Sequence, residues 1–380
     1  MIFFVKKEFF LRFFKLAAFV AVDKKIGASI LGSHVLLSAT KQKLSLVATD
    51  LDIELIVEEP LTSIEQPGAA VIPFRKINEI CKAMTDDVEL HVFIAPPSSK
   101  IHIESSQGFF SINYLDAQEF PVLSDKVFYT SFSVSAKVLQ DLVSKTAFAM
   151  GDDDSRQFLN GVFLCFSNNE IVSVATDGHR LVVWEAIKNN KVSEKIIRDL
   201  ATEVKFLLPR KSALDLLKIL NEAPAETMVQ MSVGENHVRL IINNITFTSK
   251  LLSANFPSYQ KLIPVKLQNV LVTNKETLKA CLLRAAALLG DRSQGIRLVF
   301  SKDTLQMTAR NENDDLVQEN ISVQYFGVPL EICFNIKYLL EFLSSVDGDE
   351  VSIRMENAKS GVLMQDVALK SSYVLMPMQL

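Results

Sequence analysis

No stretch of this 380-residue chain runs far enough without a charged side chain to span a membrane, which takes roughly 18 apolar residues. The N-terminus, MIFFVKKEFFLRFFKLAAFVAVDKK, comes nearest to a secretory leader. Lys6, Lys7, Glu8, Arg12 and Lys15 cut each of its apolar runs short, so folded structure is expected there. Cysteine is scarce: Cys81, Cys165, Cys281 and Cys333 lie far apart in apolar surroundings, with no CxxC pair and no histidine at metal-ligand spacing. That excludes a disulfide scaffold and a zinc module, and it points to reduced core thiols in a cytoplasmic protein. Glycine (13) and proline (12) are few and low-complexity tracts are absent, so the whole chain is expected to fold. Nor is positive charge in excess. Forty Lys and Arg against 44 Asp and Glu leave a net charge of −4, which argues against holding nucleic acid by bulk charge.

The signatures of common catalytic centres are missing too: no GxSxG elbow, no HExxH helix and no GxxxxGKS/T phosphate loop occurs. His34, His91, His102, His179 and His237 never pair at ligand spacing, so no metal and no cofactor is expected. The acidic run GDDDSR (151–156) cannot aim three consecutive carboxylates at one ion and reads as a solvated loop. In VATDGHRLVVWE (174–185), Asp177 and His179 could form the carboxylate and general base of a hydrolase. An Asp-Gly step between two apolar runs is first of all a tight turn, with Gly178 at positive φ and Asp177 capping the backbone. No catalytic residue is assigned, and a binding protein is expected. The same block, Thr176, Gly178, His179 and Arg180 followed by Leu181, offers donors, a gap for close backbone approach and an apolar wall, as peptide grooves do. YVLMPMQL (373–380) sets two methionines around Pro377, which suits an adaptable apolar surface and equally an edge strand.

What is present is a threefold pattern. FFVKKEFFLRFFKLAAF (3–19), FSVSAKVLQDLVSKTAF (132–148) and VLVTNKETLKACLLRAAALL (270–289) each run from an alternating strand into an amphipathic helix, with Val5, Val134 and Val272 aligned. A second helix recurs in IPFRKINEICKAM (72–84), LLPRKSALDLLKIL (207–220) and ICFNIKYLLEFLSSV (332–346). Phe-Pro follows a strand in both FSINYLDAQEFPVL (110–123) and FTSKLLSANFPSYQKL (247–262). Alternating runs at 44–58, 87–94 and 237–252 read as antiparallel strands. An α+β protein of three similar domains is expected, with limits at 1–125, 126–264 and 265–380.

With these residues in view, ATDGHRL (175–181), FTSKL and FPSY within 247–259, and the ending YVLMPMQL resemble the bacterial DNA polymerase III beta subunits, the sliding clamps, over the full chain. The resemblance implies the clamp fold, two crescents of three domains joined head to tail in a ring around duplex DNA, helices inside and strands outside. It implies a processivity factor and no enzyme. A ring is held by topology, so its few inner cations need only centre the duplex and read no sequence. That reconciles a net charge of −4 with DNA as a partner. The other implied partners are a second copy of the chain, the replicative polymerase alpha subunit, the clamp loader and further proteins bearing the clamp-binding motif, commonly Gln-Leu-x-Leu-Phe.

Carried over by motif, the peptide cleft between the second and third domains would comprise Leu159, Thr176, Gly178, His179, Arg180, Leu181, Pro257, Leu262, Met376, Pro377, Met378 and Leu380, with His179 and Arg180 as hydrogen-bond donors at the rim. DNA-facing cations would be Lys25, Arg75, Lys76, Arg210, Lys211 and Lys261, with Lys137, Lys275 and Lys279 as further candidates on the helices. The dimer interface would set Phe110 and Ile112 against Ala287 and Leu288 of the partner copy. Three departures stand out: Gln379 where the family often has arginine, Asp153 where it often presents a polar DNA contact, and a proline-free 23–33 stretch. Two other readings remain open, a monomeric three-domain scaffold that binds peptides and a hydrolase using Asp177 and His179.

Overall fold

The computed structural model describes residues 1–20, 34–95, 99–121, 123, 127–187, 196–290, 294–366 and 371–378. Lys25, the 23–33 departure, Gln379, Leu380 and the first domain limit at 125 lie outside the described residues.

All of the helices expected from periodicity form: α1 Lys7–Ala17, α2 Phe74–Ala83, α3 Ala136–Ser144, α4 Arg210–Glu222, α5 Lys275–Leu289 and α6 Ile336–Ser345. Their apolar residues recur three and four apart and turn inward, as with Phe10, Phe13, Phe14 and Ala17 of α1 or Leu339, Phe342 and Leu343 of α6. Asn274 and Asn335 cap α5 and α6, their side chains accepting the N–H of Thr277 at 3.0 Å and of Lys337 at 2.9 Å. Gly290, at φ +67°, ends α5.

The strand before each helix corrects one alignment. Phe3 and Val5, and Phe132 and Val134, point into the core two and four residues before their helices start. In the third copy those phases belong to Leu271 and Thr273, both buried, while Val272 is half-buried on the other face. Strand alternation has a period of two, so a shift of one residue reverses the face. Two of the long alternating runs are hairpins. Lys43–Thr49 and Ile53–Pro60 are separated at Leu51, φ 75°, and His237–Ile242 and Ile245–Lys250 at Asn243, φ 53°.

Contacts divide the chain into two compact units, and the middle third contributes to both. The first, Met1–Leu139, Ser193–Ala201 and Leu214–Leu251, holds a five-stranded and a nine-stranded sheet. Its nine-stranded sheet is joined where Ile245–Lys250 pairs antiparallel with Ile53–Pro60. The second, Gln140–Val192, Thr202–Ala213 and Leu252–Leu380, holds a nine-stranded and a four-stranded sheet. There the seam is Arg180–Ile187 paired antiparallel with Ser371–Leu375. The second seam carries the candidate site.

Candidate functional site beside the 176–181 turn

The TDGHRL block is a hairpin turn held by its own side chains. Thr176 Oγ1 donates to the carbonyl of Arg180 at 2.6 Å and accepts the N–H of Gly178 at 3.1 Å, while Asp177 Oδ1 accepts the N–H groups of His179 and Arg180 at 2.9 and 3.0 Å. Gly178 sits at φ +90°. The same lattice recurs at Thr49–Ile53: Thr49 Oγ1 donates to the Ile53 carbonyl at 2.7 Å and accepts from Leu51 N at 3.0 Å, and Asp50 Oδ1 accepts from Asp52 and Ile53. The turn is therefore a repeated element of the fold. The catalytic reading loses its basis, because Asp177 spends its oxygens on two backbone groups and on Arg180 Nε at 3.0 Å instead of orienting an imidazole.

What the second copy adds is Arg180, and here the expectation of a rim donor is corrected. Its side chain is 6 % exposed. The guanidinium binds Asp177, Glu341 of α6 and the carbonyl of Phe148, and it lies 4.1 Å from the centre of the Tyr338 ring. Burial works against its charge, but Tyr373 and Glu341 outweigh that and hold the group above the ordinary arginine range. Burial likewise pushes the Tyr373 phenol up. Arg180 fastens the turn to α6, leaving Gly178 and His179 exposed at its tip.

Beside the turn the seam builds an apolar floor. Leu181 lies opposite Val374, and Val374 opposite Leu363; Val172, Val174, Val183 and Tyr259 complete a buried group. Phe256 and Tyr259 pin the 252–268 segment onto it, Phe256 stacking on Phe163 at 5.0 Å. Burial raises the Tyr259 phenol to about 12. Leu159 is buried, whereas Pro257 and Leu262 are exposed, Leu262 by 53 %. The backbone N–H of Met376 donates to the His179 carbonyl at 2.9 Å, which places the exposed Met376 beside the turn. A Cβ on Gly361 would come within 3.2 Å of the Met376 sulfur, so a larger residue there would make that thioether shift by a few tenths of an ångström. Met378 goes elsewhere. Its N–H donates to the Cys333 carbonyl at 2.8 Å, and it lines a separate cavity of about 470 Å³ with Gly295, Ala309 and Leu316. The residues carried over by motif did not include Val374, Leu363, Tyr259 and Phe256, although Phe256 and Tyr259 stand in FPSY and Val374 in YVLMPMQL; only Leu363 lies outside these motifs.

The predicted cations are placed unevenly. Arg75 and Lys76 are exposed in the first turn of α2, Lys211 in the first turn of α4, and Lys261 next to Leu262. Arg210 is partly committed, donating to the Met150 carbonyl at 3.0 Å with Asp152 at 3.9 Å. Lys275 turns inward, 15 % exposed and donating to the Val346 carbonyl at 3.3 Å, so it is withdrawn as a DNA-facing candidate. Asp153 is exposed at φ 56° in its loop. Phe110 and Ile112 are half-buried on Gly108–Asn113, an edge strand of the five-stranded sheet, and Ala287 and Leu288 close α5. The cysteines are free. Among the described residues no cluster of three His, Cys, Asp or Glu could hold a metal, and no helix is long and apolar enough to cross a membrane.

Family models of the DNA polymerase III beta subunit match along the chain: the N-terminal domain over residues 1–124, the central domain over 133–258 and the C-terminal domain over 260–379. The beta sliding clamp of Pseudomonas putida is 32% identical over 377 residues, 99% of each chain, and that of Escherichia coli is 32% identical over 353 residues, 92% of each. The crystal structure of the DNA polymerase III subunit beta from Pseudomonas aeruginosa superposes with a TM-score of 0.91 at 31% identity, covering 100% of both chains. A Bartonella birtlesii clamp bound to griselimycin gives 0.89 at 27% identity, again over 100% of both. With its three α+β domains, its non-catalytic turn and these full-length matches, the chain belongs to the DNA polymerase III beta subunit family of DNA sliding clamps.

Proposed function

We propose that this sliding clamp receives its partners in the cleft formed by Leu159, Thr176, Gly178, His179, Leu181, Pro257, Leu262, Met376 and Pro377, with Arg180 as the strut beneath it. The observation that carries this is the pairing of a buried apolar floor with exposed Leu262 and Met376 beside it, 53 % and 46 % accessible. Such exposure suits apolar anchors of a short peptide of the Gln-Leu-x-Leu-Phe type. Met378, over its own cavity, would serve a neighbouring subsite. The replicative polymerase alpha subunit, the clamp loader and other motif-bearing proteins are the proposed occupants, in the cytoplasm.

Arg75, Lys76, Arg210, Lys211 and Lys261 are the proposed DNA-facing cations. Placement supports them. Cations in a first helical turn oppose the helix dipole at a cost of about 0.3–1 kcal/mol each, and the first turns of α2 and α4 hold no acid to compensate. A phosphate backbone would complement cations placed there, and Arg210 is meanwhile held by the Met150 carbonyl and Asp152. Ring closure is proposed through Phe110 and Ile112 against Ala287 and Leu288 of a second copy, and the domain limits are kept at 125 and 264.

Loading onto nicked circular DNA with a bacterial clamp loader and ATP, followed by a high-salt wash, tests the ring. Retention on circles with loss from linearised DNA is expected. Equal loss from both, with a control clamp retained on the circles, would overturn it.

A further inference from the structure

The face of the nine-stranded sheet that carries the cleft does not stop at Leu363. Residues directly opposite in antiparallel ladders share a face. The register runs Leu181, Val374, Leu363, Arg354, Val270, Phe326 in one row. The first three belong to the buried floor. Phe326, at the edge strand, is 64 % exposed, and Arg354 between them keeps its Nε buried with no hydrogen-bond partner among the described residues. Five strand spacings of about 4.8 Å make the row about 24 Å long, the reach of roughly seven extended residues.

The far end is braced. Val328, 61 % exposed, donates its N–H to Asn269 Oδ1 at 3.0 Å, and its carbonyl accepts the Tyr325 hydroxyl. Asn269 is 4 % exposed and donates to the carbonyls of Met355 and Glu356 at 3.3 and 3.1 Å. A Cβ on the intervening Gly327 would lie 2.3 Å from Asn269 Oδ1, so the turn closes against Asn269 only with glycine. Two large apolar side chains held out on a braced turn are preorganised for contact.

We propose that a peptide seated in the cleft continues along this row, an acidic residue of its flank meeting Arg354 and an apolar residue covering Phe326 and Val328. The proposal rests on the cleft assigned above. Continuity with the cleft and the unmatched cation select this occupant. Exposed Lys266 and Lys359 add positive charge near the point where Gly361 approaches Pro264.

Fluorescence polarisation tests it with a labelled Gln-Leu-Ser-Leu-Phe peptide and two versions extended by seven residues, Glu- and Asp-rich with a distal leucine, placed before or after the motif. One extension should bind at least fivefold tighter than the core peptide. Arg354→Gln and Phe326→Ser should each erase that gain while leaving core-peptide binding unchanged, which also shows that the variants fold. Equal affinity of the core and both extended peptides overturns the track and leaves the cleft standing. Gain that survives both substitutions also overturns it. If the core peptide itself does not bind, the cleft reading fails and the track with it.

Discussion

The Arg180 guanidinium lies 4.1 Å from the centre of the Tyr338 ring and binds Glu341, one helical turn further along α6. A buried cation held by two carboxylates and an aromatic face is a fastening between the cleft turn and a helix 161 residues away in sequence. Arg180→Met leaves Asp177 and Glu341 without their counter-charge, and a loss of about 3–5 kcal/mol is expected in urea unfolding. Arg180→Lys restores the charge without the fork, so it should recover part of that loss.

Met376 and Leu262 supply exposed apolar surface at the proposed cleft. Replacing either by aspartate removes about 1.5–3 kcal/mol of burial on binding, so affinity for a Gln-Leu-x-Leu-Phe peptide should fall at least tenfold by calorimetry. The urea midpoint should not move, because neither side chain is part of the core.

Gly178→Ala places a methyl group at φ +90°, 3.2 Å from Arg156 Nη2. The flexible arginine can withdraw, and Leu51 occupies the equivalent turn at φ 75°. A modest cost of about 1–2 kcal/mol is expected, without loss of fold. Thermal unfolding of this variant beside wild type measures it.

Arg156, hydrogen-bonded to Asp154, lowers that carboxyl to about 2. A folded value below the ordinary one of about 3.9 means that the pair contributes stability above about pH 4, a contribution lost as pH falls through 2. Carboxyl-carbon NMR should find Asp154 titrating near 2, and Arg156→Gln should return it towards the ordinary value.

Ile112→Asp puts a charge on the edge strand proposed to meet a second copy. Native mass should fall from 84.8 kDa, two chains of 42.4 kDa, to 42.4 kDa. A wild type that is already a single chain would favour the monomeric scaffold instead.

Local pattern alone determined the helices, the alternating strands and the 176–181 turn, because each depends on residues within a few positions of one another. Periods of 3.6 and 2 are visible in any window, and Asp-Gly announces its own hydrogen bonds. The phase of the third copy was not legible, since Leu271, Val272 and Thr273 all suit a strand and only packing shows which faces inward. Tertiary structure alone decided the apolar floor beside the turn. Leu181 meets Val374 and Leu363, and Arg180 meets Glu341, because two hairpin edges far apart in the chain pair along one seam. An unpaired strand edge will accept many partners; which one it takes is settled by the side chains that both faces must bury together, and no short motif records that.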